Sequence, residues 1–196
     1  MRFSESLIAE LERVRAGYKR LDLRDPEVLR RNLTFVYHVI KGSENLLSVA
    51  IQCSTREKAL NAYFRAHLEE ERDHCGWLSD DLSMLGVNAK ADAVPFLVSE
   101  MVGSQYYLLY HVDCAALLGY MAVLECFPVP LETVLALEGV HGTAPLRTLR
   151  YHAEHDVDHG ADILKVVDGL SPLRQGMVMQ NALRTAQFLG IAINSF

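Results

Sequence analysis

The chain has 196 residues, half of them apolar and 22% charged, with a formal net charge of −6. That length and balance suit a single globular domain with a buried core. The negative charge argues against a nucleic-acid binder, which needs a basic face, and no run approaches the roughly 20 apolar residues of a membrane span.

Met1-Arg2-Phe3-Ser4-Glu5 meets an acid almost at once, with no apolar stretch behind it, so the expected location is cytoplasmic. Helical periodicity dominates the remainder of the chain, with almost no β-branched alternation, no repeat and no low-complexity stretch. Ser4 to about Gly17 reads as a short first helix. Asp25 as N-cap and Pro26 at the first helical position open a second, which runs to Lys41, kinks or breaks at Gly42-Ser43, and resumes to about Cys53. Ser54-Thr55 caps a third, with Leu60, Tyr63, Phe64, Leu78, Leu82 and Leu85 on one side, ending at Gly86-Val87-Asn88. Asp92 to Phe127 reads as one long apolar helix containing Gly103 and Gly119, stopped by Pro128 and Pro130. Leu131 to Glu138 is short, Thr143-Ala144-Pro145 opens a helix reaching about Asp168, and Ser171-Pro172 opens the last. Six or seven helices joined by short loops predict an all-α, single-domain bundle over residues 1–196. Cys53, Cys75, Cys114 and Cys126 are scattered, none in a C-x-x-C pair, and read as reduced thiols packed in the core. Tyr106, Tyr107 and Tyr110 read as core and interface packing.

The histidines cluster. With His74 at zero on a helical wheel, His67 falls near +20°, Glu71 near +60° and Glu70 near −40°, at about 100° per residue. The apolar residues of that helix centre on roughly +50° by the same arithmetic. His67, Glu71 and His74 therefore project into the apolar face, Glu70 lies at its margin, and Glu69 and Asp73 point to water. On the later helix His152, Asp156 and His159 share one face with Leu149, Ile163, Val166 and Val167; His155 sits at the edge, and Glu154 and Asp158 face outward. Glu125 is the only acid between Cys114 and Glu132, in otherwise apolar helix. Such groups are costly to bury unpaired. A metal ion would neutralise the carboxylates and use the imidazole lone pairs, and N and O donors without thiolate suit Fe, Mn or Zn. An i,i+3 Glu/His pair is a recurring ligand unit of carboxylate-bridged sites in bundles. His38, His111 and His141 are isolated and read as structural or surface residues.

Glu71-x2-His74, then Glu125, then His152-x3-Asp156-x2-His159 resembles the pattern of the heme-oxygenase-like di-iron oxidases and oxygenases, as does Leu78-Ser79-Asp80-Asp81-Leu82-x-x-Leu85-Gly86. The likeness runs from about residue 26 to 190. It implies a seven-helix bundle, often a homodimer, that binds two ferrous ions and activates O2. It also implies a small amino-acid-like or fatty-acid-like substrate and a role in bacterial natural-product pathways. Carried over by position, the expected ligands are His74, Glu125, His152, Asp156 and His159, with Glu71 joining them. Several members place a carboxylate where this chain has His67, so the resemblance leaves three outcomes: Glu71 or Glu70 takes over, His67 is itself a ligand, or one iron site is weak. Tyr120 and Arg150, with Arg147 beside it, are candidates to touch substrate. Two other readings stand beside this one. One is a metal-free enzyme on the same fold, resembling thiaminase II or pyrroloquinoline-quinone synthase. The other is a non-catalytic helical metal-binding module. A heme oxygenase proper would need a single proximal His on an early helix, where only His38 is available.

Overall fold

Asp25 starts the second helix as expected: its carboxylate accepts the N–H groups of Glu27 and Val28 at 2.7 and 3.4 Å, and Pro26 takes the first helical position. The structure is a computed structural model and describes residues 2–196, without the side chain of Val157. The described residues form nine α-helices and two 3₁₀ turns. The helices are α1 (Phe3–Arg15), α2 (Pro26–Cys53), α3 (Lys58–Glu70), α4 (His74–Met84), α5 (Phe96–His111), α6 (Leu117–Glu125), α7 (Leu131–His141), α8 (Arg147–Asp168) and α9 (Pro172–Asn194). The 3₁₀ turns are Cys114–Ala116, before α6, and Ala144–Leu146, before α8. No helix among the described residues is long and apolar enough to cross a membrane.

The count exceeds the expected six or seven because two expected helices are each split. The third is parted at Glu71–Asp73, where Asp73 takes φ 72°, a left-handed conformation that ends a helical run. The long apolar helix is parted after His111, where the Asp113 carboxylate accepts the Ala115 N–H at 2.9 Å and starts the 3₁₀ turn. Conversely, Gly42-Ser43 is no break: α2 runs through it, with Gly42 pressed so close to α5 that a Cβ would lie 2.8 Å from Val102. Ser54 closes α2 instead of opening α3, its N–H donating to the Ala50 carbonyl. Cys53 and the rings of Tyr107 and Tyr110 are exposed, against the expectation of packing, because each stands on the outer face of its helix; Cys114 is buried, and all four thiols are free.

α6 is apolar almost all round and lies buried at the centre, against α9 on one side and α8 on another. Two close approaches permit this. A Cβ on Gly119 of α6 would lie 2.3 Å from the Val178 carbonyl oxygen of α9, and one on Gly160 of α8 would lie 3.1 Å from the Glu125 carbonyl oxygen of α6. The main core gathers Phe64, Met101, Leu118, Tyr120 and Ile163; a second lies between the first half of α2, α4 and α7, around Leu29, Tyr37, Leu78 and Leu82. Full burial of each large side chain contributes about 1.5–3 kcal/mol. Polar ties set the register. Buried Asp81 of α4 accepts the Thr148 N–H in the first turn of α8 at 2.8 Å, satisfying a donor the helix itself leaves free. Asp168 at the end of α8 accepts both the N–H and the hydroxyl of Ser4 at 2.8 and 2.7 Å. Arg174 of α9 reaches Glu57 and Asp113, and Asn181 pairs with Gln105 across α5 and α9.

Gly119→Ala is expected to destabilise the protein by about 1–3 kcal/mol through overpacking at α9. Gly103→Ala, exposed in mid-α5 with nothing within 4 Å of the added methyl, is expected to stabilise it by about 0.5–1 kcal/mol. Urea denaturation midpoints measure both, and a neutral Gly119→Ala would contradict the α6–α9 contact.

Candidate metal centre

Three segments that are distant in sequence converge between the two cores. His67 comes from the last turn of α3, Glu71 from the break and His74 from the first residue of α4. Glu125 ends α6; His152, Asp156 and His159 stand on the inner face of α8. His67, Glu71, His74, Glu125 and Asp156 are each less than 9% exposed, so the donors meet away from bulk water. Three triplets, Glu71–His74–His152, His67–Glu71–Glu125 and Glu125–His152–Asp156, each bring one donor atom per residue within 4.8 Å of the others. Every one of the expected donors thus lies in one cluster, though His159 belongs to none of these triplets. Its Nδ1 lies 3.7 Å from Glu125 and 3.8 Å from Asp156, and its Nε2 3.7 Å from Glu70. Glu70 is half-exposed at the rim, 3.7 Å from His67 as well. Glu69, Asp73, Glu154 and Asp158 face water, as the helical phase predicts.

Within the cluster only two hydrogen bonds form: His74 Nδ1 with Glu71 at 3.2 Å and His152 Nδ1 with Asp156 at 2.9 Å. Nine buried side-chain polar atoms among the described residues lack any partner, and five of them are here: Glu71 Oε1, His74 Nε2, Glu125 Oε2, His152 Nε2 and His159 Nδ1. A buried orphan costs about 1–3 kcal/mol, so five in one place are expensive unless something else fills the space between them. The donor set is nitrogen and carboxylate oxygen, which fits Fe, Mn or Zn.

The same crowding shifts the proton affinities. Burial, reinforced by Glu71 and Asp156, pushes Glu125 up to about 7. Burial pushes His67 down to about 4. Glu125 beside it raises His159 to about 9. Burial alone would lower His152, but its bond to Asp156 together with the charges of Asp156, Glu71 and Glu125 outweighs this and the net shift is upward. Burial opposes ionisation of Glu71, yet the surrounding imidazoles hold its pKa below the ordinary value.

Residues absent from the sequence expectation complete the walls. Trp77 and Tyr151 lie against His74, with ring centroids 4.8 and 4.9 Å away, and Tyr63 stacks on His67 at 5.9 Å. The first two follow from position, one turn after His74 and one residue before His152. Next to the cluster is a cavity of about 300 Å³, its wall mostly apolar and drawn from α2, α6 and α9, with His67, Glu71, Glu125, His152 and Asp156 on one side. Tyr120 lines it, its hydroxyl 2.9 Å from Ser43. Arg150 does not: it makes a two-pronged pair with Glu138 of α7 and a third bond to Glu154. Arg147 lies outside the cavity too, at the surface over Trp77 and near Asp80. His38 is buried in α2 away from the cavity, His111 is exposed, and His141 donates to the Leu23 carbonyl.

Two solved structures share this architecture. A TenA homolog from Pseudomonas syringae pv. tomato superposes with a TM-score of 0.72 at 12% identity, over 97% of this chain and 91% of that one. A domain of unknown function with a heme oxygenase-like fold, from Shewanella denitrificans, superposes with a TM-score of 0.65 at 13% identity, over 98% of this chain and 86% of that one. The chain therefore has the TenA and heme oxygenase-like helical fold. No family model and no curated protein matches the sequence.

The raised groups make the metal-free protein pH-sensitive. His159 and Glu125 hold protons in the folded state that the unfolded chain has lost, so their contribution to stability declines as pH rises through their folded pKa values of about 9 and 7. His67 acts in the opposite sense only below its ordinary 6.5. The thermal midpoint of metal-free protein is expected to fall between about pH 6.5 and 8, and Glu125→Gln to flatten that fall. A midpoint that rises across the window would contradict the Glu125–His159 contact.

Proposed function

We propose that the chain is a non-heme di-iron enzyme that uses O2 to oxidise a small amino-acid-like or fatty-acid-like substrate, as bacterial natural-product pathways require. What carries this reading is that five partnerless buried donor atoms fall within one cluster of neighbouring histidines and carboxylates beside an apolar cavity. Glu71, His74 and His152 would hold one ion; His67, Glu125 and His159 would hold the other, with Asp156 between the two groups. Bound there as Fe2+, the metal would supply the electrons and the open positions for O2 that no side chain offers.

The protein's own residues do the rest. Trp77, Tyr151 and Tyr63 close the cluster with aromatic surface and keep bulk water off it. Glu125 and His159, whose pKa values are both raised when no cation is near, would release a proton as the site fills, so uptake would strengthen with pH. The cavity wall orients an apolar substrate, and the Tyr120 hydroxyl, anchored on Ser43, offers one fixed polar contact inside it.

The likeness to a TenA homolog supports a second reading, a metal-free enzyme on this fold. A nucleophilic thiol would serve such an enzyme, but no cysteine lines the cavity, and burial pushes Cys114 up to about 11 and Cys126 up to about 12. A purely structural metal site would not need a 300 Å³ cavity at its edge.

Metal analysis after anaerobic ferrous loading, followed by stopped-flow mixing with O2, separates the readings. About two irons per chain and an O2-dependent visible transient are expected. His74→Ala should lose at least half of that iron. Glu154→Ala, whose carboxylate is engaged by Arg150 outside the cluster, should lose none. No iron uptake by the unaltered chain would sink the di-iron assignment.

A further inference from the structure

Among the described residues the cavity wall contains one arginine and no lysine. Arg15, at the end of α1, lines the cavity, while α1 contributes nothing to the histidine–carboxylate cluster. Among the described residues the guanidinium makes no ion pair and donates no side-chain hydrogen bond, whereas Arg13, two residues earlier on the same helix, pairs with Glu10 in solvent. What holds Arg15 is aromatic. Its guanidinium carbon lies 4.3 Å from the centre of the Phe127 ring and 5.6 Å from that of Tyr18. Tyr18 is itself fixed, its hydroxyl donating to the Ala186 carbonyl and its ring pressed against Gly190. A half-buried cation stacked on a ring keeps its N–H fork free at the edge. Burial also holds its pKa below the ordinary arginine value, as expected for a desolvated cation without a counter-ion.

The cavity is therefore bipolar. Its acids, Glu71, Glu125 and Asp156, all belong to the cluster; its one guanidinium pairs with none of them, and the wall they share is mainly apolar. We infer that Arg15 binds the carboxylate of the substrate and thereby turns the substrate's apolar body, not its acid head, toward the cluster. A single fork matches a monoanion and the planar geometry of a carboxylate. No second Lys or Arg lines the wall to balance a phosphate dianion. At about 30 Å³ per group the cavity holds roughly ten non-hydrogen atoms, the size of a straight-chain acid of about eight carbons. The assignment rests on this cavity being the substrate site of the proposed enzyme, but carboxylate binding as such needs no metal.

Isothermal titration of the full-length protein, metal-free and after anaerobic iron loading, with octanoate and with octan-1-ol tests it. In both states octanoate is expected to bind at least tenfold more tightly than the alcohol. Arg15→Gln should weaken octanoate at least tenfold and leave octan-1-ol unchanged, erasing the preference. Arg15→Lys keeps the charge without the fork and should retain part of the preference, and it decides the matter if Arg15→Gln does not fold. Equal affinities for acid and alcohol in the unaltered protein, or undiminished octanoate binding by Arg15→Gln, would overturn the assignment. Failure to take up iron with the octanoate preference intact removes the di-iron reading and leaves the anchor. Iron uptake without the preference removes the anchor alone.

Discussion

An ionised carboxylate inside an apolar bundle costs several kcal/mol unless something answers its charge, and this protein buries Glu71, Glu125 and Asp156 within reach of one another. The rest of the centre can be understood as the response. His152 answers Asp156, His74 answers Glu71, and Glu125 and His159 answer each other, the pKa of both raised. The response is incomplete, because each of these groups except Asp156 still presents an atom with no partner. A hydrophobic replacement of the whole set would fold more easily. The retention of so many poorly compensated groups at a cavity edge is what points to chemistry.

The fold reconciles this with stability by placing strong packing and satisfied polar ties around the cluster. α6 is gripped by α9 through Gly119 and approached by α8 through Gly160, so Glu125 and the α8 donors are set by backbone contact. Asp81 fixes the start of α8 to α4, tying the helix of His74 to that of His152 by a bond outside the cluster. The interruption at Asp73 adds something a continuous helix lacks. Glu71 sits in it, free of the axis on either side, and shares one triplet with His74 and another with His67 and Glu125. Helical order is given up over Glu71–Asp73, and the residue placed there joins two groups of donors.

The faces of the helices were legible in the sequence because spacing on one helix is a local property. His67, Glu71 and His74 point inward, and so do His152, Asp156 and His159, while Glu69, Asp73, Glu154 and Asp158 do not. The break at Asp73 was not legible: no Gly or Pro marks it, and the left-handed residue is an aspartate in a run of charged residues that reads as solvated helix. The pairing of Arg150 is not legible either. Its partner Glu138 lies on another helix, and pairing across helices depends on packing that no spacing on α8 encodes. Arg15 shows the same limit, since a cavity wall assembled from α1, α2, α6 and α9 exists only once the bundle closes.

The chain has a single tryptophan, and it lies 4.8 Å from His74. Its light emission is therefore tied to one side of the centre. An ion held by His74 would sit close to the indole, so a paramagnetic metal bound there would quench it. Uptake of such a metal would thus be read from the protein's own fluorescence, without any added label.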